Sequence, residues 1–189
     1  MNKIKILDAY LVYESNVGNE EQRKQLINNL YEIKKKQDSL DFANINCYKN
    51  NLNDIPVWLQ ESLKQLVYKS YNIYLDDPIF NNNSQEFKYF CWFNINSKNS
   101  RNVLHTHKEN HLTCVYYLQA FNTGALRLLN PANILSECNP FAPWTKEIVI
   151  QPNDGDFFMW PSWVPHEVEP NYSNNDRINI AFNINFIKK

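Results

Sequence analysis

The second half of the chain is cut into short apolar runs, and this punctuation limits its fold more than any other feature. Residues 87–96, Phe-Lys-Tyr-Phe-Cys-Trp-Phe-Asn-Ile-Asn, read as a buried strand. Further strands are expected at 102–108, 112–119, 124–129, 146–151, 156–160, 165–169 and 177–187. Turns built from Asn, Pro, Gly and Asp separate them. Eight short strands in this order predict a closed or double-sheet antiparallel barrel. Residues 4–13 alternate loosely and suit an opening strand.

Two helical patterns precede the strands. In residues 19–37, Leu26, Ile27, Leu30, Tyr31 and Ile33 fall at helical spacing, Asn19 suits the N-cap, and Glu20 and Glu21 occupy the first turn. In residues 54–75, Asp54 suits an N-cap, Pro56 suits the first turn, and Trp58, Leu59, Leu63, Leu66 and Val67 form an apolar stripe. The expectation is a mainly β fold with helical support, a jelly roll with two N-terminal helices packed on one face. The 189 residues suit a single domain, with 1–80 as a helical support region and 87–187 as the β core.

Composition narrows the function classes. Hydrophobic residues make up 43%, enough for a globular core. The net charge of -1 provides no overall attraction to nucleic acid or an anionic membrane. The basic run Lys34-Lys35-Lys36 closes a helical pattern, where a solvated, dipole-favoured helix end accounts for it. No apolar stretch reaches the roughly 18 residues of a membrane span. The segment Met1 to Lys5 lacks the features of a secretion signal, so the expected compartment is the cytoplasm. Cys47, Cys91, Cys114 and Cys138 form no C-x-x-C pair, which argues against a zinc knuckle or a disulfide framework.

Three segments carry chemistry. In Leu104-His105-Thr106-His107-Lys108-Glu109, strand alternation would turn His105, His107 and Glu109 to one face, where two imidazoles can chelate one metal ion. An H-x-H alone is equally a pair of histidines on a polar strand. Far along the chain, Pro161-Ser162-Trp163-Val164-Pro165 leads to His166, which alone would pass for a core histidine under an aromatic cluster. The last strand is cleanly two-faced: Ile178, Ile180, Phe182 and Ile184 on one side, Arg177, Asn179, Ala181 and Asn183 on the other. Arg177 follows His166 by 11 residues, which favours a pocket position over a surface one. Ser162 lacks the G-x-S-x-G context of a hydrolase nucleophile.

Taken together, these segments resemble the Fe(II)/2-oxoglutarate-dependent oxygenase superfamily. The likeness is to its prolyl-hydroxylase-like branch, and within it to a group of small bacterial and phage oxygenases. It is carried by Trp92-Phe93-Asn94, His105-Thr106-His107, Thr113 through Leu118, Gly124-Ala125-Leu126, Pro161 through His166, and Arg177 through Asn183. It covers roughly residues 87–187. The resemblance implies a double-stranded β-helix, Fe(II) and 2-oxoglutarate as cofactors, and hydroxylation of a substrate with release of succinate and carbon dioxide.

It also implies roles. His105 and His166 match the family's two histidines. Arg177 matches the basic residue that pairs with the far carboxylate of 2-oxoglutarate, a role that suits a bidentate guanidinium. Tyr117 matches a tyrosine that helps hold that carboxylate, and Asn94 falls near the cosubstrate's other end. Only one of Tyr116 and Tyr117 can face inward. The chain departs from the usual two-histidine, one-carboxylate triad, because His107 stands at the carboxylate position. A metal site of His105, His107 and His166 is the preferred assignment, and His107, Glu109 and His166 form the competing register.

Two other classes share the barrel: a cupin-like metalloenzyme that does not use 2-oxoglutarate, and a non-catalytic jelly-roll binding or structural module. The first does not need Arg177 in the pocket, and the second predicts no metal, with His105→Ala leaving binding intact. The substrate class is open between a small molecule and a protein side chain, and near-neutral charge argues against nucleic acid. The loop 130–145 lies between two strands and suits a lid, or equally a plain surface connection.

Overall fold

The computed structural model describes residues 2–6, 9–40, 44–73, 86–132 and 146–187. Ten strands and two helices follow in the order β1 (Asn2–Ile6), β2 (Ala9–Glu14), α1 (Glu20–Lys36), β3 (Asn44–Asn51), α2 (Val57–Ile73), β4 (Phe87–His105), β5 (Leu112–Gln119), β6 (Leu126–Leu129), β7 (Glu147–Ile150), β8 (Phe157–Pro161), β9 (His166–Val168) and β10 (Arg177–Phe186). All described pairings are antiparallel. The strand order is β1-β2-β8-β5-β10-β4-β9-β6-β7, with β3 also pairing with β4. This is the curled antiparallel sheet of a jelly roll.

Alternation along the strands divides two cores. Cys114, Tyr116 and Leu118 of β5, Phe157 and Met159 of β8, and Ile178, Ile180, Phe182 and Ile184 of β10 face the helices and pack with Leu26, Leu30, Leu59, Leu63 and Leu66. Val115 and Tyr117 of β5, together with Phe158 and Trp160 of β8, face the other way and pack with Leu126, Leu128 and Val168. The central strand β5 is thus covered on both sides, which explains its unbroken apolar sequence. Both helices lie on the first face, as expected.

Asn19 caps α1 with a reciprocal capping box: its side chain accepts from Gln22 N at 2.9 Å, and Gln22 Oε1 accepts from Asn19 N at 2.8 Å. The start of α2 differs from expectation. The first helical bond runs from Gln60 N to the Pro56 carbonyl at 3.0 Å, so the helix begins at Val57 and Asp54 is not its cap.

The segments 87–96 and 102–108 are not separate strands. Residues 87–96 and 102–105 belong to the single strand β4, 19 residues long, because both halves have partners: β10 along 87–96, and β9 at Asn102 and His105; residues 106–108 lie beyond its end. Asn99 takes a left-handed φ of 67° within it, a conformation asparagine tolerates. Residues 1–80 are also more than a helical support, since β1, β2 and β3 all come from them. Most of the suggested lid falls outside the described residues, which stop at Ala132 and resume at Lys146.

Candidate metal and cosubstrate site

The site lies on the face of the sheet opposite the helices, where β4 meets β9. His105, the last residue of β4, stands directly across from His166, the first of β9. His107 lies two residues beyond the end of β4. Its backbone N–H donates to the Ser162 carbonyl at 3.0 Å, which ties it to the turn that precedes His166. The Pro-bounded turn therefore positions two histidines, one on each side.

One nitrogen from each of His105, His107 and His166 falls within 4.8 Å of the others. His105 Nδ1 lies 2.7 Å from the Val103 carbonyl, and His166 Nδ1 lies 3.0 Å from the Val164 carbonyl. A carbonyl only accepts, so both Nδ1 atoms carry the proton and both Nε2 atoms keep a lone pair for a metal. His107 Nε2 lies 3.1 Å from His166 Nε2. Two adjacent ligands at about 2.1 Å from one octahedral ion stand about 3.0 Å apart, so this spacing suits a chelating pair.

The electrostatics agree. Burial lowers the pKa of all three. His107 is brought down to about 4, with repulsion from His105 and Lys49 adding to burial. His166, 5% exposed, is brought down to about 3, with His105 and His107 adding to burial. His105 is lowered by burial, against its bond to Val103. The three rings are neutral at pH 7, the form that binds metal.

Glu109 does not join them. Strand alternation ends before it, its φ is left-handed at 69°, and it lines a neighbouring cleft that shares His107 but neither His105 nor His166. The chamber around the histidines is lined instead by Trp92, Asn94, Asn102, Thr113, Tyr117 and Asn179, among others. Trp160 meets His166 edge-on with ring centroids 5.0 Å apart. Of the tyrosine pair, Tyr117 lines the chamber, while Tyr116 faces the helices and donates to the Val17 carbonyl at 2.6 Å. Asn94 is buried in the same chamber and donates to Asn179 Oδ1 at 2.8 Å.

Arg177, expected in the pocket, is fully buried and is not among the residues lining this chamber; it reaches the chamber residue Asn102. Its Nη1 donates to the carbonyls of Thr123 at 2.6 Å and Glu169 at 3.1 Å, and Nη2 reaches Asn102 Oδ1 at 3.5 Å. Its Nε has no hydrogen-bond partner, and no carboxylate pairs with it among the described residues. Burial lowers its pKa, and Tyr117 is the neighbour that most opposes this. Tyr117 is itself pushed up to about 12 by burial, against the Arg177 charge. A buried cation held by neutral acceptors alone is suited to an incoming carboxylate. The donor set therefore fits both a divalent metal and a dicarboxylate cosubstrate.

The family described as "Putative 2OG-Fe(II) oxygenase" matches residues 90–183, which include all three histidines, Arg177, Tyr117 and Asn94. The chain belongs to the 2OG-Fe(II) oxygenase superfamily. Its cofactors are Fe(II) and 2-oxoglutarate, and its fold agrees with the resemblance read from the sequence. No curated protein matches the sequence of this oxygenase.

Solved structures share the fold at low identity. A Pseudomonas putida prolyl-4-hydroxylase aligns at 12% identity and TM-score 0.63, over 95% of this chain and 92% of that one. A Trichoplax adhaerens prolyl hydroxylase, in complex with a hypoxia inducible factor peptide fragment, aligns at 14% and 0.62, over 92% and 82%. HygX from Streptomyces hygroscopicus, with nickel and 2-oxoglutarate bound, aligns at 11% and 0.62, over 93% and 82%.

Two chamber residues, Asn102 and Trp92, and Lys49 in the adjoining cleft had no role in the sequence reading beyond its quoted motifs. Asn102 was hidden in an Asn-rich background. Lys49 lies on β3, a strand the sequence reading lacked. Trp92 stacks on His107 with centroids 5.5 Å apart, and its place in Trp92-Phe93-Asn94 was the one available signal.

Proposed function

We propose that this oxygenase holds Fe(II) through Nε2 of His105, His107 and His166, and hydroxylates a small molecule or a protein side chain. The observation that carries this reading is the convergence of three neutral imidazoles in one chamber, together with a buried arginine that has no carboxylate partner among the described residues. When bound, iron and 2-oxoglutarate supply the oxidative chemistry, with succinate and carbon dioxide as co-products.

The chain's own groups do the positioning. Val103 and Val164 fix the tautomers of His105 and His166 through their carbonyls. Arg177 holds the far carboxylate of 2-oxoglutarate with its guanidinium, and Tyr117 adds a hydroxyl donor beside it. Asn94 serves the cosubstrate's other end. Trp92 and Trp160 wall the chamber and keep water from the reacting centre. The Trichoplax neighbour's bound peptide makes a protein side chain a natural substrate class to test. Free Cys47, Cys91 and Cys114 suit a reducing compartment, and we place the activity in the cytoplasm.

Succinate release tests this. Iron-loaded protein is expected to convert 2-oxoglutarate to succinate, faster when a substrate is present, and Arg177→Ala is expected to weaken cosubstrate binding. No turnover with any candidate, together with unchanged cosubstrate binding in Arg177→Ala, contradicts the reading. A cupin-like enzyme independent of 2-oxoglutarate gives that second result.

A further inference from the structure

Of the three candidate ligands, His107 alone lies outside a strand. β4 ends at His105 and β9 opens at His166, and the two stand across from each other in the ladder. His107 comes two residues past the end of β4. A carboxylate at that point could offer either of two equivalent oxygens. An imidazole has to present Nε2, keep its proton on Nδ1 and hold its plane toward the ion. A neighbour has to impose that choice.

At His105 and His166 the Val103 and Val164 carbonyls impose it by accepting from Nδ1. The described contacts of the His107 ring include no carbonyl. Stacking sets its plane: Trp92 lies 5.5 Å away at 24°, and His166 lies 5.0 Å away at 8°. Its Nε2 faces Nε2 of His166 at 3.1 Å. Nδ1 is the ring nitrogen that remains.

β10 brings a side chain to this ring. Asn179 and Ala181 line the chamber, and Asn183, two residues further along, projects to the same side. There it lines the adjoining cleft together with His105 and His107. The same end of β10 already grips the segment that carries His107. Asn185 Nδ2 donates to Asn110 Oδ1 at 2.8 Å, and the Ile184 carbonyl accepts from His111 N at 3.0 Å. Thr113 stands opposite Asn183 on β5, with its hydroxyl oxygen 3.3 Å from Asn183 Oδ1. An amide oxygen has two lone pairs, so Oδ1 keeps one for a further donor. The Asn183 side chain makes hydrogen-bonding contact with His107, and the contact favours the protonated ring, as an accepting oxygen does.

We propose that Asn183 is a positioning residue for the metal centre: its Oδ1 accepts from Nδ1–H of His107 and so aims Nε2 at the ion. The inference rests on the three-histidine reading above. It explains how an imidazole beyond the end of a strand can stand where a carboxylate usually stands. A His107 ring that carried its proton on Nε2 instead would have no lone pair for the ion.

Nitrogen NMR of zinc-loaded protein with 15N-labelled histidine tests this. Zinc is diamagnetic and needs no cosubstrate to be read. In the wild type, zinc is expected on Nε2 of all three rings, with three slowly exchanging Nδ1–H signals. In Asn183→Leu the His107 Nδ1–H signal is expected to be lost to exchange with water, while those of His105 and His166 stay. Zinc affinity should fall about tenfold or more, the usual scale for removing a partner of a ligating histidine. Asn183→Ala, which adds no bulk to pack, carries the same expectations. Asn183→Asp keeps an acceptor and is expected to keep both the signal and the affinity. A leucine or alanine variant that retains the His107 signal and wild-type zinc affinity overturns the proposal. So does a loss that Asn183→Asp fails to restore. Zinc that leaves His107 Nε2 unbonded in the wild type contradicts the parent reading as well, and shows this before any variant is made.

Discussion

His107 and His166 face each other with Nε2 atoms 3.1 Å apart and rings only 8° from parallel. The two residues are 59 positions apart in sequence. What joins them is the turn from Pro161 to Pro165, which accepts the His107 backbone N–H at Ser162 and presents His166 at the start of β9. The pair is already spaced for one ion, so binding requires little rearrangement of the chain.

His107 is therefore expected to be a ligand and Glu109 a bystander. His107→Ala should lower Fe(II) or nickel affinity by at least about 100-fold, since losses of 10–100-fold are typical even for groups outside the direct ligand set. Glu109→Gln should leave affinity unchanged. Anaerobic metal titration of the two variants checks this, and the reverse pattern would restore the His107, Glu109, His166 register.

The buried histidines give the metal-free protein a definite pH dependence. Folding lowers His107 to about 4 and His166 to about 3, chiefly by burial, from an ordinary value near 6.5. The unfolded chain then binds more protons than the folded one at acid pH. Stability is full above about pH 6.5 and is lost as the pH falls from there toward 3 to 4. The Tm of metal-free protein is expected to decline across that window, and His166→Asn is expected to decline less steeply. A flat profile would contradict the assigned burial.

Much of this site was legible before the fold was known, for physical reasons. The alternation of Ile178 through Ile184 survives because one face of β10 meets the helices and the other meets the chamber. The H-x-H spacing survives at His105 and His107 although β4 ends between them. It fails at Glu109, where a left-handed turn intervenes that alternation alone does not announce. β3 was not legible: Asn-Ile-Asn-Cys-Tyr-Lys-Asn-Asn is polar and poor in strand formers, and pairing with β4 overrides that weak propensity. Lys49 stayed hidden with it. The break expected near Asn96 to Ser100 is a register shift within one strand, between the pairs Ile45–Arg101 and Cys47–Asn96, with β10 and β3 pairing on one side of it and β3 and β9 on the other.

Arg177 combines structural and binding roles, and two substitutions separate them. Arg177→Ala removes the donor to Thr123 O and Glu169 O and should cost about 1–3 kcal/mol of stability, as well as cosubstrate binding. Arg177→Lys keeps the charge but loses the fork. It should fold and bind 2-oxoglutarate about tenfold or more weakly, consistent with a lost charged hydrogen bond of about 1.5–3 kcal/mol. Denaturant unfolding and calorimetry on the same samples resolve the two effects.

Gly124 underlies the Arg177 cradle. Its φ is +97°, and an added Cβ would stand 2.7 Å from Glu169 O, 2.8 Å from Pro170 O and 3.1 Å from Arg177 Nη1. Two of these atoms are backbone and cannot swing away. Gly124→Ala should therefore destabilise by about 1–3 kcal/mol and weaken 2-oxoglutarate binding by displacing Arg177, while metal affinity stays near wild type. Urea unfolding with parallel metal and cosubstrate titrations tests the separation.

The central claim is a three-histidine iron centre with its cosubstrate anchored on Arg177. The most direct measurement is anomalous scattering at the iron edge from a crystal grown anaerobically with Fe(II) and 2-oxoglutarate. The account predicts one iron peak bonded to Nε2 of His105, His107 and His166, with the far carboxylate of 2-oxoglutarate on Arg177 and Tyr117. An iron peak bonded to Glu109, no iron at the three histidines, or a cosubstrate carboxylate held away from Arg177 would contradict it.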